Sequence, residues 1–308
     1  MTLQQLEYIV ALNRHRHFVK AAQECNVAQP TLSAMIKKLE DELEVTIFDR
    51  AKHPIEPTLI GERIIIQAQR TLEEMGKIDE MVHSEVATIS GTLRIGIIPT
   101  VAPYLIPDFI SKFKQEYPSV ELAISEMRTA MIVEQLKYSL LDMAIVSTPL
   151  DNSELLEIPI FYERFVAYFS PLDSHLYNKL KASDMPTEHL WVLQEGHCAR
   201  NQIFNFCNAS TTYNHTYEAG SIETLIKIVD TNGGYTVIPE LHIPFLSKKQ
   251  AHNIREISSP PATREISIII RKDYIKERMI NAVVDTVKAI IPDHMLDQRL
   301  KKFAIRLL

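Results

Sequence analysis

The sequence predicts an α/β effector region of two subdomains, preceded by an all-α winged helix-turn-helix and a long linker helix. Three observations carry this. Between Leu3 and Glu40 apolar residues recur at helical spacing in three short bursts, broken by polar turns and one proline. Between Gly61 and Ile89 they recur at three- and four-residue steps without a break. From Leu93 onward short apolar strands alternate with helices, the pattern of α/β layers around a mostly parallel sheet.

In the head, Leu3, Leu6, Ile9 and Val10 mark an amphipathic first helix over 3–12. A short second helix over 17–25 carries adjacent Ala21 and Ala22, small enough to let another helix approach closely. The turn Asn26-Val27-Ala28 follows, and Pro30, tolerated in a first helical turn, marks the start of a third helix over 29–40. That helix has Leu32, Met35, Ile36 and Leu39 on one face and Gln, Thr, Ser and Lys on the other, the layout of a helix-turn-helix. Gln, Ser and Thr can read base edges and lysines neutralise phosphates, although spacing alone fits an ordinary surface helix equally well. Residues 45–50 and 55–58 read as a two-stranded wing with basic Arg50, Lys52 and His53 at its tip.

The next stretch places Ile64, Ile65, Ala68, Leu72, Met75, Ile78, Met81 and Val82 on one seam. Such a helix suits pairing with its twin in a dimer, or packing on its own domain. Ser90-Gly91 ends it. Beyond lie expected strands at 93–98, 120–125, 143–146, 165–169, 190–193, 235–238 and 266–270, with helices at 103–117, 129–139, 221–230 and 276–290.

A formal net charge of −6 over 308 residues argues against a chain that coats nucleic acid through bulk positive charge, but not against a small reading head. The N-terminus lacks a basic and then apolar leader, and no run approaches the ~20 apolar residues of a bilayer span, so a cytoplasmic location is expected. Three cysteines do not make a disulfide framework, and cytosolic disulfides are usually transient, catalytic or sensing. His215, His242, His252 and His294 are scattered without metal-ligand spacing and are expected at the surface. Lys248-Lys249 reads as a solvated turn and Gly233-Gly234 as a turn before a strand. No metal, cofactor or phosphate loop is expected.

Leu6-Glu7-Tyr8, residues 17–22, Gln29-Pro30-Thr31-Leu32-Ser33, residues 36–40 and Phe48-Asp49-Arg50 form an ordered set that resembles the LysR-type transcriptional regulators. Two departures are visible: Ala28 where the family usually has serine, and Glu44 where it often has glycine. The resemblance implies a winged head over 1–60 with its motif at about 18–37, a linker helix over 61–90 and a redox-sensing regulatory domain over 91–308. Subdomain I would comprise 91–162 and 266–308, and subdomain II 163–265, in the two-crossover arrangement of periplasmic binding proteins. It also implies that Gln29, Pro30, Thr31, Ser33, Lys37, Arg50 and Lys52 meet double-stranded operator DNA at promoters. RNA polymerase would be a partner, and homodimers would assemble into a homotetramer.

Gly196-His197-Cys198 and Cys207 draw attention within the regulatory region. If 200–207 is helical, sulfurs nine residues apart in sequence lie roughly 13 Å apart at ~1.5 Å rise per residue. A disulfide needs Cα atoms within about 7 Å, so joining them demands that the helix unwind. His197, Arg200 and a helix beginning near Ala199 could lower the thiol pKa of Cys198. These residues, with 95–101, 103–105 and 221–225, resemble the peroxide-sensing branch of the family. By that resemblance Cys198 is peroxidatic and Cys207 resolving, Thr100 and Thr129 hold hydrogen peroxide, and Arg264 and His197 stabilise the thiolate. Thiol reductants would reset the bond, and Cys25 would be a small apolar bystander. Two other functions remain open at this point: a regulator whose cleft binds a small metabolite, and a thiol peroxidase.

Overall fold

The computed structural model describes residues 1–83, 89–150, 152–171, 180–181, 185, 189–194, 218–258, 262–274 and 276–297. They form two compact units, Met1–Thr88 and Ile89–Leu308.

In the first unit, α1 (Leu3–His15) starts on a capping box in which Thr2 and Gln5 exchange hydrogen bonds. Helices α2 (Phe18–Glu24) and α3 (Gln29–Leu43) follow across the turn at Asn26, whose φ is 54°. Ala21 and Ala22 are buried, so their small size does admit a close neighbour. Leu32, Ile36 and Leu39 of α3 are fully buried against Leu6, Ile9, Leu12 and Phe48, each burial contributing about 1.5–3 kcal/mol. Both departures from the family pattern leave a structural mark. Ala28 is the N-cap of α3 and offers no side-chain acceptor, and Glu44 ends the helix in the left-handed region at φ 54°, where glycine would be unstrained. The wing is a minimal ribbon, β1 (Phe48–Asp49) paired antiparallel with β2 (Glu56–Pro57). Thr58 then donates from its hydroxyl to the Thr46 carbonyl and accepts from the Gly61 amide, starting α4 (Leu59–His83). A Cβ at Gly61 would meet the Ile47 carbonyl oxygen at 2.0 Å, so the close approach of α4 to the wing requires glycine.

The second unit is built on one mixed sheet. Strand β3 (Gly91–Ile97) pairs in parallel with β4 (Val120–Glu126) and β5 (Met143–Thr148), with α5 (Ala102–Glu116) and α6 (Thr129–Lys137) as crossovers. Beside β5 lies β10 (Thr263–Arg271), then β6 (Leu155–Phe169), then β9 (Ile254–Ser258) and β7 (Leu180–Lys181). Strand β8 (Tyr235–Pro239) also pairs with β6. Two cores result. One holds Leu93, Ile95, Phe109, Phe113, Phe161 and Ile268, and the other Phe165, Phe169, Leu225, Val229 and Tyr235. The long strand β6 serves both, and the chain passes between them twice, where the Phe165 amide donates to the Ala262 carbonyl. Helices α7 (Ile222–Asn232), capped by Ser221, and α8 (Lys248–Ala251) belong to the second half; α9 (Glu277–Lys288) returns to the first core.

Several expectations require correction. The sheet is not mostly parallel: β10 runs antiparallel to both β5 and β6, because a chain that leaves one core along β6 and re-enters along β10 must reverse direction. Strand β6 begins ten residues earlier than the sequence implied, at Leu155 rather than Phe165. Pro159 obscured it, since proline withdraws a ladder donor; here it sits at a bulge where Ser267 pairs with Pro159 and Ile266 with Phe161. Residues 190–193 contribute only single bridges, Leu190 to Tyr235 and Leu193 to Ala219. The Lys248-Lys249 pair is exposed, as expected, but lies in α8 rather than in a turn.

Candidate functional site

Two regions bear on function, one in each unit. In the head, burial of Leu32, Ile36 and Leu39 turns Gln29, Pro30, Thr31 and Lys37 outward, with Ser33 half-buried. Lys37 pairs with Asp41 one turn on (3.2 Å), and Lys52 with Glu56, both in full contact with solvent. Exposed pairs of this kind contribute little and yield readily to a phosphate. Arg50 differs. Its Nη2 donates to Glu40 Oε2 at 2.8 Å, and its guanidinium lies 5.6 Å from the centroid of the Phe18 ring. Cys25 is half-buried against the head's core, where burial pushes its thiol pKa up, aided by Glu24 and Glu7, so it is a poor thiolate.

In the second unit, α5 and α6 both begin just beyond the carboxyl ends of β3 and β4. The order β4-β3-β5 reverses direction at β3, and crevices at such reversals are where open α/β sheets bind ligands. Thr100 follows β3 and is buried; Thr129 follows β4, half-buried, as the first residue of α6. Arg264 reaches Thr100 from β10. It donates from Nη1 to Thr100 Oγ1 and from Nη2 to the Thr100 carbonyl, both at 2.9 Å. Its Nε donates to Glu163 Oε2 at 2.8 Å, and the ion pair closes to 2.6 Å with neither side chain exposed. Because it accepts a hydrogen bond from Arg264, the Thr100 hydroxyl keeps its own proton to donate.

Glu163 is held by the fold twice over. It faces Arg264 directly across the β6–β10 ladder, and its Oε1 accepts the Leu241 amide at 2.9 Å. Burial pushes its carboxyl pKa up, while Arg264 and the Leu241 amide pull it back. A fully buried charge of this kind is tolerated because it is paired and hydrogen-bonded. The Arg264 guanidinium also sits 5.4 Å from the Phe165 ring centroid.

Two contacts join the parts of this unit built on the two cores. Arg128, preceding Thr129, donates to Gln194 Oε1 at 3.1 Å. Tyr104, in the first turn of α5, shares a 2.7 Å hydrogen bond with His242 Nδ1, and their rings meet edge to face. His242 is thus buried, not a surface histidine, because Tyr104 covers it from a distant part of the chain. Burial lowers its pKa, with Glu223 opposing. Of the other histidines, His252 and His294 are exposed.

The structure therefore brings together Thr100 and Arg264, with Thr129 at the neighbouring strand end. His197, Cys198, Arg200 and Cys207, like His215, lie outside the described residues; the described chain reaches Gln194 before them. Glu163, Glu40 and the Tyr104–His242 pair were missed by sequence reasoning. No local signal marks Glu163, since it meets Arg264 across 101 residues of chain. Glu40 follows the buried Leu39 directly, but its partners depend on the turn that follows.

Known proteins accord with this architecture. Residues 3–62 match the bacterial regulatory helix-turn-helix protein, lysR family, and residues 87–291 the LysR substrate binding domain. The chain is 35% identical over 301 residues to a hydrogen peroxide-inducible genes activator of Haemophilus influenzae, covering 94% of this chain and 99% of that one. It is 33% identical over 306 residues to the DNA-binding transcriptional dual regulator OxyR of Escherichia coli, covering 98% and 99%. A solved full-length OxyR variant from Pseudomonas aeruginosa superposes with a TM-score of 0.81 at 32% identity, covering 94% and 98%. With both models matched in order along its length, the chain belongs to the LysR family of transcriptional regulators.

Proposed function

We propose that this regulator reads promoter DNA through α3 and the wing and senses hydrogen peroxide through a reversible Cys198–Cys207 disulfide. One observation carries the sensing half. Thr100, fixed by Arg264, and Thr129 flank a crevice at adjacent strand ends, and Gln194, four residues before Cys198, is hydrogen-bonded beside Thr129. Two hydroxyls at neighbouring strand ends suit a small polar ligand, and the Haemophilus influenzae relative is a hydrogen peroxide-inducible genes activator.

In this reading Cys198, with His197, Arg200 and Arg264 favouring its thiolate, attacks one peroxide oxygen as Thr100 and Thr129 hold the molecule. The O–O bond breaks, an S–O bond forms, and the departing hydroxide takes a proton to leave as water. The Cys207 thiol then displaces the second hydroxyl as water, giving the disulfide. Two electrons pass from the thiols to peroxide. A cytosolic thiol donor returns them, which agrees with a cytoplasmic location; among the described residues no helix is long and apolar enough to cross a membrane. The head over 1–60, linker helix over 61–90 and regulatory domain over 91–308 divide the work. Gln29, Pro30, Thr31 and Ser33 approach base edges and backbone while Lys37 and Lys52 meet phosphates, with Arg50 bordering them. Homodimers assembling to a tetramer would carry the change to DNA and RNA polymerase.

Mass spectrometry of alkylated peptides after stoichiometric peroxide tests the sensor. A Cys198–Cys207 cross-link, absent in Cys198→Ser and retained in Cys25→Ser, is expected. Two free thiols in the treated wild-type protein would defeat the reading.

A further inference from the structure

We propose that Glu40, an acid on the DNA-facing helix, is a positioning residue for DNA binding, and that Arg50 pins the wing to the helices rather than gripping a phosphate. The inference rests on the reading of α3 and the wing as the DNA face.

Glu40 lies in the last turns of α3 and is 8% exposed. Every acceptor it offers is used on the turn into the wing. Its carbonyl accepts the Val45 amide (3.0 Å), and its Oε1 accepts the amides of Ile47 (2.8 Å) and Phe48 (3.1 Å). Its Oε2 accepts from Arg50 at 2.8 Å. One side chain therefore satisfies consecutive buried backbone donors at the wing root, which would otherwise carry a desolvation penalty. The same carboxylate holds Arg50, whose guanidinium rests over Phe18, the first residue of α2. Glu40 and Arg50 thus tie three pieces together: the end of α3, the start of α2 and β1.

Charge makes the assignment testable. A free carboxylate beside phosphates repels them, so its removal ordinarily strengthens DNA binding. Here the carboxylate is buried and compensated, and its removal loosens the wing instead. Arg50 is 37% exposed, but its charge is directed at Glu40, so DNA meets a nearly neutral pair. The cations left facing outward on this surface are Lys37, Lys38 and Lys52, of which Lys37 and Lys52 are held only by exposed carboxylates.

The test uses the full chain and a duplex selected by the wild-type protein from a random DNA library. Hydroxyl-radical footprints and affinities across a salt series are compared for the wild type, Glu40→Gln, Arg50→Met and the double variant. Glu40→Gln is expected to bind about tenfold more weakly, as for loss of one charge-assisted hydrogen bond. It should lose the outer protections made by the wing and keep those made by α3. Arg50→Met should do the same, with a slope of log affinity against log salt that matches that of Glu40→Gln because both lose the same wing contacts, and the double variant should be no weaker than the weaker single variant. Circular dichroism identifies any variant that fails to fold; if Glu40→Gln does, adding Arg50→Met to Lys52→Ala decides instead, with no further fall in slope expected and a further fall of about 0.9 overturning the proposal. Glu40→Gln binding as tightly as wild type or tighter overturns the proposal. So does a slope about 0.9 lower in Arg50→Met than in Glu40→Gln, the mark of a phosphate contact made by Arg50 itself. A wild-type protein that selects no duplex overturns the DNA reading itself, and this inference with it.

Discussion

Replacing Arg264 by methionine is the most informative single change in the regulatory unit. The substitution keeps much of the side chain's length and apolar stem but removes the hydrogen bonds to Glu163 Oε2, Thr100 Oγ1 and the Thr100 carbonyl. What remains is a fully buried carboxylate with its Leu241 amide bond but no counter-charge. Breaking a buried pair from one side costs about 3–5 kcal/mol, most of it the penalty of the orphaned charge. Removing both charges is far milder, so Glu163→Gln combined with Arg264→Met should recover most of that loss. Trp191, the chain's one tryptophan, donates from Nε1 to the Gly233 carbonyl at 2.9 Å and reports unfolding of this unit in urea. The deficit should also depend on pH. Burial raises the Glu163 carboxyl in the folded state, so its contribution is fully present below the unfolded value of 4.5 and lost as pH rises through the folded value. Arg264→Met withdraws the group that held that value down, so its deficit should shrink as the solution is acidified. A loss under about 1 kcal/mol, or a double variant no better than the single, refutes the reasoning, because a satisfied buried pair cannot be broken so cheaply.

Further outcomes follow from other sites. Glu44→Gly should raise the stability of the head by about 1 kcal/mol by relieving the left-handed backbone at φ 54°, seen as slower amide exchange in α3; no gain means that Glu44 is not strained. Lys37→Ala should lower the salt slope of DNA binding by about 0.9, and an unchanged slope removes Lys37 from the phosphate contacts. His242 has its pKa lowered by burial, so its stabilising contribution is present above the unfolded value of 6.5 and lost as pH falls below it. His242→Gln should therefore flatten the pH dependence of urea stability in that window, and a curve parallel to wild type would show that burial of His242 does not govern it.

How much could be read from the sequence depends on how local each feature is. Helices α1 and α3 were legible because their apolar faces repeat every three or four residues and Pro30 marks a start. The strained Glu44 was visible as a missing glycine. Strand β6 was not, because Pro159 interrupts its pattern and only pairing with β10 absorbs the proline at a bulge. The crevice was half-legible. Thr100, Thr129 and Arg264 were named through resemblance, whereas Glu163 became visible only when β6 and β10 were set side by side. His242 misled for the same reason: its burial depends on Tyr104, 138 residues away.

Switching requires that oxidation in the regulatory region change what the head does. Footprinting of one promoter duplex by reduced and peroxide-treated protein, with the disulfide mapped in the same samples, measures this directly. The account predicts that wild type forms the Cys198–Cys207 bond and alters its footprint, while Cys198→Ser keeps the reduced footprint after peroxide. An identical footprint in both states, with the disulfide present, would contradict it.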